Sequence, residues 1–192
     1  MKFHILTIFP NIFESYFNES IIKRAREKNL IDIKIYDLRD FTKDKHKKVD
    51  DRVYGGGPGM VIKVDPIVKA VEYVRKKNRK SKTKVVLFSA AGLQFDDKMA
   101  RVWHKKYNHF IFICGHYEGI DERVKTILRP EEISIGPYVL SGGELPTMVV
   151  ADAVSRKIKG VLGKEESLEE RRLGIGVPVY TRPESFLYKK NK

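Results

Sequence analysis

Strand-length apolar runs alternate with helix-length amphipathic patterns along most of the chain, and this alternation restricts the fold more than any other feature. The runs HILTIF (4–9), DIKIYDL (32–38), KVVLFSA (84–90), HFIFIC (109–114) and EISIG (132–136) have the length and the β-branched and aromatic content of strands. Between them, Ile12, Phe13, Tyr16, Phe17, Ile21 and Ala25 recur at the spacing of one helix face. Asp65 as a cap, Pro66 in the first turn, and Ile67, Val71 and Val74 mark a second helix; Met99, Val102 and Trp103 mark a third. Strands separated by helices imply an α/β domain on a mainly parallel sheet, whose ligands bind beyond the carboxyl ends of the strands.

Other classes are disfavoured by what the chain lacks or carries in excess. No apolar run approaches the roughly 18 residues that a membrane helix needs, so no membrane partner is expected. The start, MKFHILTIFPNIFESYF, lacks a small-residue cleavage site and meets Glu14 early, so it reads as a first strand and helix instead of a signal peptide. The single cysteine, Cys114, can form no internal disulfide, which suits a reducing cytoplasm. Thirty-eight Lys and Arg against 25 Asp and Glu leave a formal charge of +13. That excess favours a polyanion such as RNA as partner. The run RKKNRKSKTK (75–84) is a candidate phosphate contact, or simply the solvated end of a helix, where cations are also at home.

Three glycine-bearing loops follow successive strands: SAAG, CGHYEGIDER and SIGPYVLSGGELP. On a parallel sheet they cluster at one edge and define a pocket. None ends in Gly-Lys-Ser/Thr, and none carries G-x-G-x-x-G opening a helix, so a phosphate cradle and a standard dinucleotide site are disfavoured. The third loop, 134–146, is at once punctuated by Gly and Pro and rich in Ile135, Tyr138, Val139, Leu140 and Leu145, as expected of a segment that wraps an apolar, adenine-sized ligand.

Five motifs in order carry a family resemblance: VDDRVYGGGPGM (49–60), CGHYEGIDERV (114–124), SIGPYVLSGGELP (134–146), SRKIKGVLG (155–163) and YTRPE (180–184). They resemble the bacterial tRNA (guanine-N1)-methyltransferases, the TrmD family, over almost the whole chain. The resemblance implies the SPOUT fold, a mainly parallel sheet with helices on both faces whose C-terminal half is threaded into a trefoil knot. Pattern alone would give an unknotted sheet. It also implies S-adenosylmethionine bound by the knot loops, tRNA as substrate, and a homodimer whose active site spans the interface. Residues 1–163 would form the methyltransferase domain; 164–192 would be a linker-like segment, with the family's small helical tRNA-binding domain largely absent.

The match assigns cofactor positions residue by residue. Leu87, Phe88, Ser89 and Ala90 would lie against the adenosine, with Gly115 letting the backbone approach closely. Ile135, Gly136, Tyr138, Val139 and Leu140 would line the adenine, Gly142 and Gly143 the methionine side, and Pro146 would start the next helix. Taken singly, Val139 and Leu140 could be core and each glycine a turn residue.

The chemistry sets its own requirements. Guanine N1 carries a proton and becomes nucleophilic as that proton leaves and negative charge spreads to O6, so a base and a cation are needed. Arg156 matches the family's cation aimed at O6, the role favoured here over a helix-surface pair with Asp152 four residues earlier. Glu118 would orient the guanine or favour the sulfonium. The adjacent Asp50 and Asp51 are not spaced as a dedicated metal site; the resemblance implies that Mg²⁺ would act through substrate and carboxylates together. The sequence departs from the family at four places. Arg171 stands where the family has the aspartate that takes the N1 proton, which leaves Glu170, then Glu169, as the replacement base. His116 replaces a common arginine, Val53 a common proline, and the segment before YTRPE is shorter. A catalytically weak cofactor- or RNA-binding remnant, and a SPOUT enzyme for another RNA target, remain as alternatives.

Overall fold

The computed structural model describes residues 1–162 and 178–186. Its centre is a five-stranded, wholly parallel sheet in the order β2-β1-β6-β5-β7. The strands are β1 (Lys2–Thr7), β2 (Asp32–Asp37), β5 (Thr83–Gln94), β6 (His109–Ile113) and β7 (Glu131–Ser134). A separate hairpin, β3 (Asp50–Arg52) with β4 (Met60–Ile62), lies between the second and third of these.

Period-two alternation decides which side chains face which layer. On β5, Val85 and Leu87 point to one face while Val86 and Phe88 point to the other; on β6, Ile111 and Ile113 oppose Phe110 and Phe112 in the same way. The aromatic face stacks Phe3 on Phe110 and Phe112 at centroid distances of 5.5 and 5.8 Å. It is covered by α1 (Glu14–Phe17), α2 (Ser20–Glu27), α4 (Asp97–Lys106) and α6 (Glu144–Ser155), which contribute Phe17, Ile22, Trp103 and Val150. The aliphatic face is covered by α3 (Val64–Lys77) and α5 (Arg123–Leu128) through Ile67, Val71 and Val124. Helices therefore lie on both faces, as the resemblance implies.

Three local expectations are corrected. Asp65 does not cap α3: Lys63 holds the cap position, and Asp65 sits in the first turn paired with Lys69, four residues on. Pro146 is the third residue of α6, which begins at Glu144. The SAAG segment does not follow the third long run as a loop, because β5 continues to Gln94. Phe88 and Leu93 both oppose Ile133, so Ser89 to Gly92 form an excursion within the strand. Gly92 permits this: a Cβ there would lie 2.5 Å from the backbone nitrogen of Ile133.

Candidate functional site

The carboxyl ends of the central strands open into one cavity of about 330 Å³, within the range of small-molecule sites. Its walls come from three segments: the β5 excursion, the loop after β6, and residues 135–143 with the start of α6. All thirteen sequence-assigned cofactor positions line it: Leu87, Phe88, Ser89 and Ala90; Gly115; Ile135, Gly136, Tyr138, Val139 and Leu140; Gly142, Gly143 and Pro146. Glu118 lines it too and is exposed at its rim.

Backbone contacts fix these segments to one another. Gly143 N–H donates to Gly115 O at 2.9 Å, and His116 and Gly142 form an antiparallel bridge. Ser134 Oγ donates to Gly136 O at 2.8 Å, closing the turn that starts the third loop. The loop after β6 is also tied to the hairpin, since Glu118 N–H donates to Met60 O at 3.1 Å and Asp121 N–H to Ile62 O at 2.9 Å.

Three of the glycines lie where the segments pack so closely that a side chain would collide with the protein itself, which lets backbone form the cavity floor. A Cβ on Gly143 would lie 2.7 Å from Cys114 Cα, one on Gly142 2.3 Å from Glu144 Oε2, and one on Gly136 2.2 Å from Tyr138 Cε1. Gly115 is different: its Cβ would meet only Ile120 Cγ2 at 3.5 Å, an ordinary contact. Within the protein, close approach does not require a glycine there. The apolar side chains around the opening, Tyr138, Val139 and Leu140, are exposed at 53, 86 and 37% and offer a surface for a purine. The residues fit the cofactor.

Beneath the floor lies a buried polar cluster that the sequence reading did not single out. Glu144, at 4% exposure, accepts from Thr7 Oγ1 at 2.8 Å, and Thr7 Oγ1 accepts from Phe9 N–H at 2.9 Å. Cys114 Sγ meets Thr147 Oγ1 at 3.1 Å; burial, then the Glu144 charge, pushes its thiol far above the usual range. Such a thiol is a packing group, not a nucleophile. Lys125 also lines the cavity, bridging Glu132 at 3.0 Å and Glu122 at 3.1 Å; the Glu132 contact raises its ammonium. Tyr117, another lining residue, holds φ +60°, an uncommon conformation for a non-glycine residue. Tyr117 stands inside CGHYEGIDERV, and Lys125 follows directly after it.

Arg156 does not line the cavity. It caps the C-terminus of α6, its N–H donating to Asp152 O at 2.9 Å. The alternative side-chain pair with Asp152 is not formed, since that carboxylate accepts from Tyr16 Oη at 2.6 Å. Burial, then this bond, pushes the Tyr16 phenol up to about 12. Glu169, Glu170 and Arg171 lie outside the described residues.

Comparisons with known proteins agree with this geometry. The profile of a family described as tRNA (Guanine-1)-methyltransferase TrmD matches residues 1–191. A tRNA (guanine-N(1)-)-methyltransferase of Dictyoglomus turgidum is 51% identical over 189 residues, covering 97% of this chain and 75% of the relative. Its counterpart from Clostridioides difficile is 46% identical over 189 residues, covering 97% and 81%. Among solved structures, tRNA (m1G37) methyltransferase from Aquifex aeolicus superposes with a TM-score of 0.80 at 40% identity, covering 97% of this chain and 78% of that one.

Proposed function

Because the chain belongs to the tRNA (guanine-1)-methyltransferase TrmD family, we propose that it transfers a methyl group from S-adenosylmethionine to N1 of guanosine 37 of tRNA, the nucleotide 3′ of the anticodon. The observation that carries this reading is the convergence of all thirteen cofactor positions, drawn from three separated segments, on one cavity. Residues 1–163 are the methyltransferase domain in this reading, its C-terminal half threaded as a trefoil knot.

The cofactor supplies an electrophilic methyl on sulfonium, so in-line approach of N1 suffices and no covalent enzyme intermediate is needed. The protein's own work is to hold, orient and move a proton. The Gly142–Gly143 floor and the Tyr138–Leu140 rim hold the donor. Glu118, at the rim, orients the guanine. Arg156 stabilises the charge that grows on O6 as the N1 proton departs, and Glu170 receives that proton. The bound donor would give up its methyl to N1 and keep the electron pair of the broken S–CH3 bond on sulfur. Arg156 stands away from the cavity lining of its own chain, which favours an active site shared by two subunits of a homodimer. Mg²⁺ would be held by substrate and carboxylates together, as the family resemblance implies.

Among the described residues no helix is long and apolar enough to cross a membrane, and the cytoplasm, where tRNA is processed, is the proposed location. Incubation with methyl-labelled cofactor and unmodified tRNA, followed by nucleoside analysis, tests the reading. Label in 1-methylguanosine at position 37 is expected. Label in a ribose or in another base would reassign the target, and no transfer to a proven substrate would favour a cofactor-binding remnant.

A further inference from the structure

Behind the glycines that floor the cavity lies a carboxylate that no Lys or Arg of the described residues pairs with. Glu144 opens α6, is buried, and turns Oε1 to the Thr7 hydroxyl. Its Oε2 faces His116 Nδ1 at 3.9 Å, beyond hydrogen-bond reach, and that ring nitrogen is itself buried with no hydrogen-bond partner among the described residues. No Lys or Arg among the described residues pairs with the carboxylate. Buried charges are ordinarily paired. Here the start of a 12-residue helix and one hydroxyl take the place of a counter-ion.

Cys114 is a neighbour of this group: burial first, then the Glu144 charge, pushes its thiol up. Gly142, which lines the cavity, touches the carboxylate directly: a Cβ there would lie 2.3 Å from Oε2 and 2.6 Å from His116 Nδ1. With no side chain between them, little material separates the charge from a ligand on that floor. Water is excluded at Glu144, so its field is screened less than that of Glu118 at the exposed rim.

We infer that Glu144 is a charge-selectivity residue, whose buried carboxylate acts through the Gly142–Gly143 backbone to make the cavity prefer the cationic methyl donor over its neutral product. Methyl transfer removes the positive charge from sulfur, because the electron pair of the broken S–CH3 bond stays there. The attraction disappears with it, and the thioether is released. Glu144 does not contact the ligand; it sets the potential of the floor. This inference rests on the reading of the cavity as the S-adenosylmethionine site.

The test is calorimetric and needs no turnover. Three ligands are titrated into the full chain: S-adenosylmethionine, S-adenosylhomocysteine, and an analogue with a protonated amine in place of the methylsulfonium. The unaltered protein is expected to bind both cationic ligands about tenfold or more tighter than the thioether. Glu144→Gln is expected to bring that ratio close to one while thioether affinity stays within about threefold, and Glu122→Gln, at an exposed carboxylate, to move the ratio by less than about threefold. A ratio unchanged in Glu144→Gln, a parallel loss of all three ligands, or a larger effect from Glu122→Gln would each overturn the inference. Should Glu144→Gln fail to fold, Glu144→Asp, which keeps the charge, decides with the unaltered protein: equal binding of all three ligands by the unaltered protein, or a preference lost in Glu144→Asp, is fatal. Failure of the unaltered protein to bind any of them is a separate result, which removes the cofactor reading and this inference together.

Discussion

Lowering the pH from about 7.5 to about 5 should destabilise the fold through a single buried imidazole, and replacing it should remove that part of the response. His4 lies in β1 at 2% exposure, with Nδ1 3.2 Å from Tyr36 Oη and Nε2 3.2 Å from His109 Nδ1. Burial, then the neighbouring His109 and Lys34, lowers its pKa from 6.5 to about 4. The unfolded chain therefore takes up the proton at a higher pH than the folded one. This contribution to stability is intact above the unfolded value, is lost progressively as pH falls from 6.5 toward 4, and levels off below. With those two pKa values the loss between about pH 7.5 and pH 5 is about 2 kcal/mol. His109, lowered mainly by burial, acts in the same direction. His4→Phe keeps a ring in the core but cannot titrate. It should cost about 1–3 kcal/mol near pH 8, where it strands the His109 nitrogen. Urea unfolding of both proteins across this range reads the effect of His4 together with any change at its partner His109, because the remaining titrations are shared. The stability gap should narrow by about 2 kcal/mol on acidification. A gap that stays constant with pH would refute the reasoning.

Gly143→Ala places a methyl against the Cys114 backbone, which cannot yield, and should weaken S-adenosylmethionine binding by about tenfold or more. Gly115→Ala meets only a side-chain methyl and should leave stability within about 0.5 kcal/mol, so any loss of calorimetric affinity there reports contact with the ligand. Neutralising Lys76, Lys77, Arg79 and Lys80, all exposed around the end of α3, should reduce the slope of log affinity for tRNA against log salt by about one per phosphate contact removed; an unchanged slope would return them to the role of a solvated helix end. Glu170→Gln should slow single-turnover methyl transfer by about a hundredfold with cofactor affinity kept, while Glu169→Gln changes little. Equal, small effects from both would reject Glu170 as the base.

The five strands of the parallel sheet were legible because β-branched and aromatic residues concentrate in them, and the split of Val85 and Leu87 from Val86 and Phe88 follows from period two alone. The β3–β4 hairpin was not. Asp-Asp-Arg is short and charged, and its pairing with Met60 to Ile62 spans a glycine run that reads as turn. Ser89 to Gly92 misled for a related reason: small residues signal a loop, whereas the return of Leu93 to the same partner as Phe88 is a tertiary event. The positions that the motif match assigned to the cofactor share one cavity. Glu144 stood inside a quoted motif and passed unnoticed, because an acidic residue before a helix ordinarily faces solvent. Its burial depends on Thr7, 137 residues away in sequence.

The β5 excursion ties ligand exchange to the integrity of the sheet. Its two ends, Phe88 and Leu93, converge on Ile133 of β7, a four-residue strand at the border of the sheet. Ser89 and Ala90 form cavity wall between those anchors, so the wall cannot swing outward as an independent flap. Widening it means unzipping β7 from β5, a sub-global opening that amide hydrogen exchange detects. A bound ligand should therefore slow exchange at the Ile133 and Ser134 amides as well as at the loop amides, and mutations that loosen this border strand should shorten ligand residence time without touching the ligand.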